Sequence, residues 1–322
     1  TQNTIENCVI RSNRAISAGN TAWVHGGGLY FSSGTHVLRN NLIHHNQSDG
    51  FGGGVSVAYG IGLLDNCTII SNTAAATWGS GLNLSFTPQG AGLRVRNSIV
   101  YDNWRTNENI RMDGLGTNSF FTNCCLSMTN SLSGSVTNIL GTGNFTNAPL
   151  FIDVAGQNFG LAQGSPCIDA GTNQDWMTNS VDLDGLPRVL QGSADIGAYE
   201  SAYLFSMGYN VFSNTVMRGS STNMYVCLSN SAPEIPLHWG SVITSSWVSL
   251  SSNNGTIEAG GFLVLHITNS SLGLVPVAYA SRIGLSALTN YPLAMARYSQ
   301  TGVVDMVLHV AEFARNPTQV VA

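Results

Sequence analysis

Apolar residues in the first part of the chain come in short runs, and each run opens and closes on asparagine. Asn7-Cys8-Val9-Ile10 closes at Asn13, Asn40-Asn41-Leu42-Ile43 at Asn46, Asn66-Cys67-Thr68-Ile69 at Asn72, and Asn97-Ser98-Ile99-Val100 at Asn103. Asn123-Cys124-Cys125-Leu126 is a weaker fifth copy. The opening asparagines stand 33, 26, 31 and 26 residues apart, a period in the range of stacked repeat architectures. A second phrase interleaves: Gly26-Gly27-Gly28-Leu29-Tyr30-Phe31, then Gly52-Gly53-Gly54-Val55-Ser56-Val57, then Gly79-Ser80-Gly81-Leu82-Asn83-Leu84. Each cycle holds a Gly-rich corner, a short alternating strand, a loop, an apolar strand and an Asn corner, which is a β pattern.

The same corner chemistry at the same phase is what a coil stacked on an identical coil requires. Residues 1–135 therefore predict a right-handed parallel β-helix of four to five coils. Asparagine tolerates a left-handed bend, and its amide can bond the asparagine of the next coil. Asn7, Asn40, Asn66 and Asn97, with Asn123, are expected to align as a structural ladder. Ile10, Ile43, Ile69 and Val100 are expected to stack inside.

The repeat fades after Cys125, and residues 136–201 are read as a terminal coil and cap. Leu161-Ala162 to Pro166-Cys167-Ile168 would supply the last short coil, covering exposed strand edges. From residue 202 to residue 322 the pattern becomes alternating strands, with Asn254-Gly255 as a turn signal. Length and strand count suit an immunoglobulin-like β-sandwich. The whole is thus all-β. The apolar segment Val303–Phe313 would stay in its own sandwich or complement a neighbour.

Composition alters this picture in one respect. Hydrophobic content is 43% but charged content only 9%, far below the usual quarter. Lysine is absent, so all 12 basic residues are arginine. Such a surface suits an extracellular or cell-surface location. A net charge of −5 without a basic run argues against nucleic acid, and no apolar run reaches the length of a membrane span. Thr1 starts almost inside a coil, so a processed or truncated product is expected. An uncapped first coil with little like-charge repulsion makes self-association with like subunits, as a homo-oligomer or filament, a structural expectation.

Six cysteines form no tidy framework. Cys8 and Cys67 share a phase two rungs apart, about 9–10 Å at the usual strand spacing, too far to bridge. Buried free thiols are the plain expectation. Cys124-Cys125 are vicinal, which leaves open a bridge from one of them to Cys167.

Four phrases carry a family resemblance: Pro149-Leu150-Phe151, Gly164-Ser165-Pro166-Cys167-Ile168-Asp169-Ala170-Gly171, Asp182-Leu183-Asp184-Gly185-Leu186-Pro187-Arg188, and Asp195-Ile196-Gly197-Ala198-Tyr199-Glu200. Over about 55 residues the chain resembles the choice-of-anchor Q domain family, found at the end of secreted or surface-attached bacterial β-helix proteins. The resemblance implies export and a β-helix; it implies no reaction. Trp247-Val248-Ser249-Leu250, Gly255-Thr256-Ile257, Tyr279 and Ile283-Gly284-Leu285 resemble the BACON-type immunoglobulin-like domains of bacterial surface proteins. That resemblance implies either carbohydrate binding or a spacer.

Candidate chemistry is sparse. Asp182, Asp184, Arg188, Asp195 and Glu200 read as an Arg–carboxylate network fastening the cap. Asp182 and Asp184 are alternatively a calcium site, although the remaining ligands of a calcium loop are missing; no other cofactor is expected. His44-His45 is read as surface. The most charged window is Tyr101–Gly114, with Asp102, Trp104, Arg105, Glu108, Arg111 and Asp113. A Trp beside Arg and carboxylates could stack on a sugar and bond its hydroxyls; a self-satisfied salt-bridged loop is the alternative. The function expected is a non-catalytic surface protein acting as an adhesion, carbohydrate-binding or structural module, with an extracellular glycan or like subunits as partner. The alternative is a polysaccharide lyase or glycoside hydrolase. A hydrolase needs two carboxylates on one cleft, and a free guanidinium hardly serves as a base.

Overall fold

A computed structural model describes residues 2–19, 24–75, 79–85, 92–103, 109–112, 119–127, 132–134, 140–201, 205–208, 211–231, 236–288 and 301–312. The described residues are almost all β, with a single 3-10 turn at Asp175–Met177. The chain forms two compact units, Thr1–Ser201 and Ala202–Ala322.

Parallel sheets build the first unit. One sheet holds Gln2–Glu6, Gly34–Arg39, Gly60–Asp65, Gly92–Arg96 and Phe120–Thr122, in that spatial order. A second holds Val9–Arg11, Leu42–His44, Thr68–Ile70, Ile99–Tyr101 and Cys125–Leu126. A third holds Leu29–Phe31, Val55–Ala58, Leu82–Ser85, Ile110–Met112 and Leu132–Gly134. Three two-residue strands, Arg14–Ala15, Gln47–Ser48 and Thr73–Ala74, form a short fourth sheet. Each sequence cycle thus contributes one strand to each of the first three sheets in turn, and the first three cycles also contribute to the fourth.

Register follows the repeat. Ile10, Ile43, Ile69, Val100 and Leu126 are paired one on the next across the second sheet. Ile5, Leu38, Leu64, Val95 and Phe121 do the same across the first. Both columns join one apolar core with Val55, Val57, Leu82, Leu84, Ile110 and Met112 of the third sheet. Side chains that alternate in direction along short strands place one residue of each pair inside.

Both corners of the second sheet bend through the left-handed region, by different residues. At the entry corner the asparagine itself has positive φ: 54° at Asn7, 52° at Asn40, 50° at Asn66, 46° at Asn97 and 49° at Asn123. At the exit corner the residue before the closing asparagine does so: Ser12, His45, Ser71 and Asp102. This difference moves the ladder. The closing asparagines stack amide on amide. Asn13 Nδ2 donates to Asn46 Oδ1 at 3.0 Å, Asn46 Nδ2 to Asn72 Oδ1 at 2.9 Å, Asn72 Nδ2 to Asn103 Oδ1 at 2.9 Å, and Asn103 Nδ2 to Asn109 Oδ1. The same oxygens accept the backbone N–H groups of Asn13, Asn46 and Asn72 at 3.0 Å. In the expected column only Asn97 to Asn66 makes a direct amide contact, at 3.4 Å. The expected ladder of Asn7, Asn40, Asn66 and Asn97 is therefore corrected. Residues that spend their own φ on the bend turn the side chain outward, and inward amides come from the corner after it.

The Gly-rich corner is a site of close approach. A Cβ on Gly54 would stand 2.6 Å from the Gly81 carbonyl oxygen, and one on Gly28 the same distance from the Gly54 carbonyl oxygen. The stacked turns come together through bare backbone.

Residues 140–201 differ from the expected end cap. Leu140 and Phe145 do add a partial rung, bridging in parallel to Phe121 and Cys125. The expected last coil at 161–168 is absent as such: Asn158–Leu161 pairs antiparallel with Phe151–Asp153. The segment then runs back along the outer face of the second sheet as a strap. Phe159, Ala198 and Tyr199 cover Leu42 and Ile70; Leu161, Cys167 and Ile196 cover Ile99 and Cys125. The reason is legible in strands such as Leu42–His44 and Thr68–Ile70, buried at every position. A strand buried on both faces does not alternate, and its outer face needs cover. His44, read as surface, is only 2% exposed. It lies beneath the edge of the Phe159 ring, with centroids 5.0 Å apart.

The second unit has two sheets. One orders Phe205–Met207, Ser221–Asn230, Phe262–Ser270 and Val248–Leu250, all antiparallel. The other orders Val211–Met217, Thr301–Ala311, Ala278–Leu288, Leu237–Ile243 and Asn254–Ile257. It is antiparallel except where Val211–Met217 runs parallel to Thr301–Ala311. The C-terminal apolar segment thus pairs on both sides within its own sheet. Asn254-Gly255, expected as a turn, lies in a strand paired with Trp239 and Gly240. The missing side chain at Gly255 leaves room for the buried Trp239 indole, whose Nε1 lies 3.2 Å from where a Cβ would stand.

Candidate functional site

Trp104, Arg105, Glu108 and Asp113 of the charged window lie outside the described residues. Asp102 and Arg111 are described. Asp102 sits at the exit corner with φ 43°, and burial pushes its carboxyl up. Arg111 lies on the third sheet, on the strand Ile110–Met112. The two belong to different elements.

Asp182 is spoken for by the backbone. Its Oδ1 accepts the N–H groups of Asp184 and Leu186, each at 2.9 Å, and its Oδ2 accepts the Glu200 N–H at 2.7 Å. A carboxylate so engaged has little left for calcium. Among the described residues, no group of three or more His, Cys, Asp or Glu is placed to hold a metal. The acids instead surround Arg188, which is fully buried. Its Nη1 donates to Asn40 Oδ1 and the Gly197 carbonyl, and its Nη2 to the Asp195 carbonyl and the Glu200 carboxylate. Burial pushes Asp182 and Asp195 up to about 6 and raises Glu200 well above its usual range.

The entry-corner asparagines anchor this strap. Asn40 donates to the Val181 carbonyl, Asn66 to that of Asp195, and Asn97 to that of Thr172; Asn97 also accepts the Thr172 N–H. Gly197 lets the strap approach: its φ is 111°, and a Cβ there would meet Ile99 Cδ1 and Thr68 Oγ1 at 2.8 Å.

Sequence reasoning missed a charge column on the first sheet. The residue before each entry asparagine alternates in sign: Glu6, Arg39, Asp65, Arg96. Register stacks them in that order. Arg39 Nη1 meets Glu6 Oε1 at 3.0 Å, and its Nε lies 3.9 Å from Asp65 Oδ2. Arg96 grips Asp65 with two bonds, Nε to Oδ1 at 2.8 Å and Nη2 to Oδ2 at 3.0 Å. The alternation was visible in the sequence once the entry asparagines were aligned.

Where this column meets the strap there is a cavity of about 330 Å³, lined by Glu6, Asn7, Arg39, Asn40, Trp176, Asn179, Ser180 and Val181. Arg39 lies over the Trp176 ring, 4.9 Å from its centroid. Trp176 is held from both sides of the 3-10 turn: its Nε1 donates to Gln174 Oε1 at 3.2 Å, and its carbonyl accepts Ser180 Oγ at 2.6 Å. Asn7 and Asn179 line the cavity as exposed residues. A second cavity of about 330 Å³ lies over the second sheet, lined by Val9, Arg11, Leu42, His44, Gln157 and Tyr199. There burial, with the neighbouring His45 and Arg11, pulls His44 down to about 4, so its ring is neutral at pH 7.

No helix among the described residues is long and apolar enough to cross a membrane. The chain matches no protein-family model and no curated protein. Among solved structures it is similar over about a third of its length to small β domains. The PapD-like domain 7 of human CEP192 is 13% identical, with 35% of this chain and 89% of that one covered and a TM-score of 0.31. The E. coli chaperone DraB is 11% identical, covering 36% and 60% with a TM-score of 0.27. A Porphyromonas gingivalis W83 protein of unknown function is 14% identical, covering 36% and 51% with a TM-score of 0.30. Likeness at this level assigns neither fold nor function to the chain.

Proposed function

We propose that this chain is the glycan-binding and structural part of a secreted bacterial surface protein. Its parallel sheets close as a right-handed β-helix, the choice-of-anchor-Q-like segment straps the outside of that helix, and a BACON-like immunoglobulin-like sandwich follows. The single observation that carries the binding role is the cavity at Trp176 and Arg39. An indole beside an ion pair and two exposed amides offers a stacking surface together with donors and acceptors for sugar hydroxyls. Arg39 is already neutralised by Glu6 and Asp65, so the cavity favours a neutral hexose over a uronate. The role is non-catalytic: Glu6 and Asp65 hold arginines, and Asp182, Asp195 and Glu200 hold the strap.

The test is binding of the protein to a panel of neutral and uronate oligosaccharides, followed by calorimetry on the best ligand, with reducing ends and unsaturated products assayed in parallel. Trp176→Ala should weaken binding by about tenfold, the loss of about 1.4 kcal/mol of stacking. Turnover of any glycan, or binding indifferent to Trp176→Ala, would refute this reading.

A further inference from the structure

Cys125 and Cys167 come together from the two parts of the first unit. Cys125 lies on the last described strand of the second sheet, between Ile99 and the bridging Phe145. Cys167 lies on the strap, its N–H donating to Ser165 Oγ and its carbonyl accepting the Ile196 N–H. Both are fully buried and packed in one cluster with Leu161 and Ile196, where the Cys125 thiol also donates to the Asn147 carbonyl at 3.2 Å. Alternation along the strand decides between the vicinal pair. Cys124 faces the inner core beside Phe121 and Leu126, with its Sγ on the Val95 carbonyl. Only Cys125 faces the strap.

We propose that Cys125 and Cys167 form a disulfide that clamps the strap to the end of the repeat. Two thiols lose two protons and two electrons, one S–S bond forms, and a disulfide oxidant, either oxidised glutathione or an exported oxidoreductase, is reduced to two thiols by exchange through a mixed disulfide. The thiolate is the attacking species. In the closed protein both thiols are fully buried, out of reach of an oxidant, and the neighbouring Cys167 together with burial drives the Cys125 thiol far up. The bond therefore forms while the strap is still open, during folding, and slowly or not at all once the reduced protein has closed. That oxidation happens in the organism rests on the proposed export; the chemistry in a tube does not.

The experiment uses the full chain, reduced and unfolded in urea, then refolded in a glutathione redox buffer. Free thiols are alkylated after renewed unfolding, and the chain is digested with chymotrypsin. Trypsin is unsuitable, because no Arg or Lys lies between Arg111 and Arg188. The expected product joins the Cys125 and Cys167 peptides with the loss of two hydrogens and leaves Cys8, Cys67, Cys124 and Cys227 alkylated. Cys124→Ala should keep the link; Cys125→Ser and Cys167→Ser should each abolish it. Closing a 42-residue separation should raise the thermal midpoint of the oxidised wild type over the reduced by about 5–10 °C. Alkylation of both cysteines in refolded protein, or a link through Cys124, overturns the proposal. If refolding fails, expression in an oxidising periplasm with the same mapping decides between the same outcomes. Glycan binding by Trp176 is read separately, so either proposal can fail alone.

Discussion

Replacing Asn72 by alanine tests the amide ladder most directly. Asn72 Oδ1 accepts the Asn46 N–H at 3.0 Å and Asn46 Nδ2 at 2.9 Å. Its Nδ2 donates to Asn103 Oδ1 and to the Ile43 carbonyl, each at 2.9 Å. Alanine strips the Asn46 N–H of its side-chain acceptor in a fully buried place. Asn46 Nδ2 keeps the Ile10 carbonyl, and Asn103 Oδ1 keeps the Asn72 N–H. One orphaned buried donor costs about 1–3 kcal/mol, and each of the three further bonds lost about 0.5–1.5 kcal/mol, so the total is about 2.5–7.5 kcal/mol. Asn66→Ala is the comparison. The Asp195 carbonyl that it leaves still accepts Arg188 Nη2, so the main penalty is alanine in the left-handed region, and the total is about 1–2 kcal/mol. Asn66→Gly should recover part of that. The assay is equilibrium urea unfolding of the full chain by far-ultraviolet circular dichroism, reading the transition of the first unit. If Asn66→Ala costs as much as Asn72→Ala, or Asn72→Ala lies within about 1 kcal/mol of wild type, the assignment of the ladder to the exit corner is wrong.

Two further outcomes are expected. Gly54→Ala should abolish the folded first unit, because its Cβ would press on the Gly81 carbonyl, while Gly192→Ala, with open space around it, costs only its backbone strain; soluble yield and dichroism distinguish them. Stability should rise as pH falls from about 7 toward 4: Asp182 and Asp195 titrate at about 6 in the folded protein, above their ordinary range, so the folded state takes up protons first. Each shift corresponds to about 3 kcal/mol at most. His44, pulled down to about 4, opposes this over the same window, so His44→Gln should steepen the gain; thermal midpoints that fall on mild acidification in His44→Gln would contradict it.

The local chemistry of each rung can be read from the chain's letters without any coordinates. Asparagine at the entry corner, glycine at the close approach and the inward Ile10, Ile43, Ile69 and Val100 are all set by φ preference, side-chain absence and strand alternation. These act within a few residues, so a row of letters displays them. The charge column Glu6, Arg39, Asp65 and Arg96 was also present in the row, although it emerges only when the rungs are aligned. Which asparagines stack was settled by the folded chain, because two corners with the same residue type differ in which residue takes the left-handed bend. Folding likewise placed the 140–201 segment along the side of the sheets, turned His44 from surface to interior, and brought Trp176 over Arg39 and Cys167 beside Cys125. The last two of those contacts join residues 137 and 42 positions apart. Such pairings depend on how an apolar outer face finds its cover, and no local pattern encodes the partner.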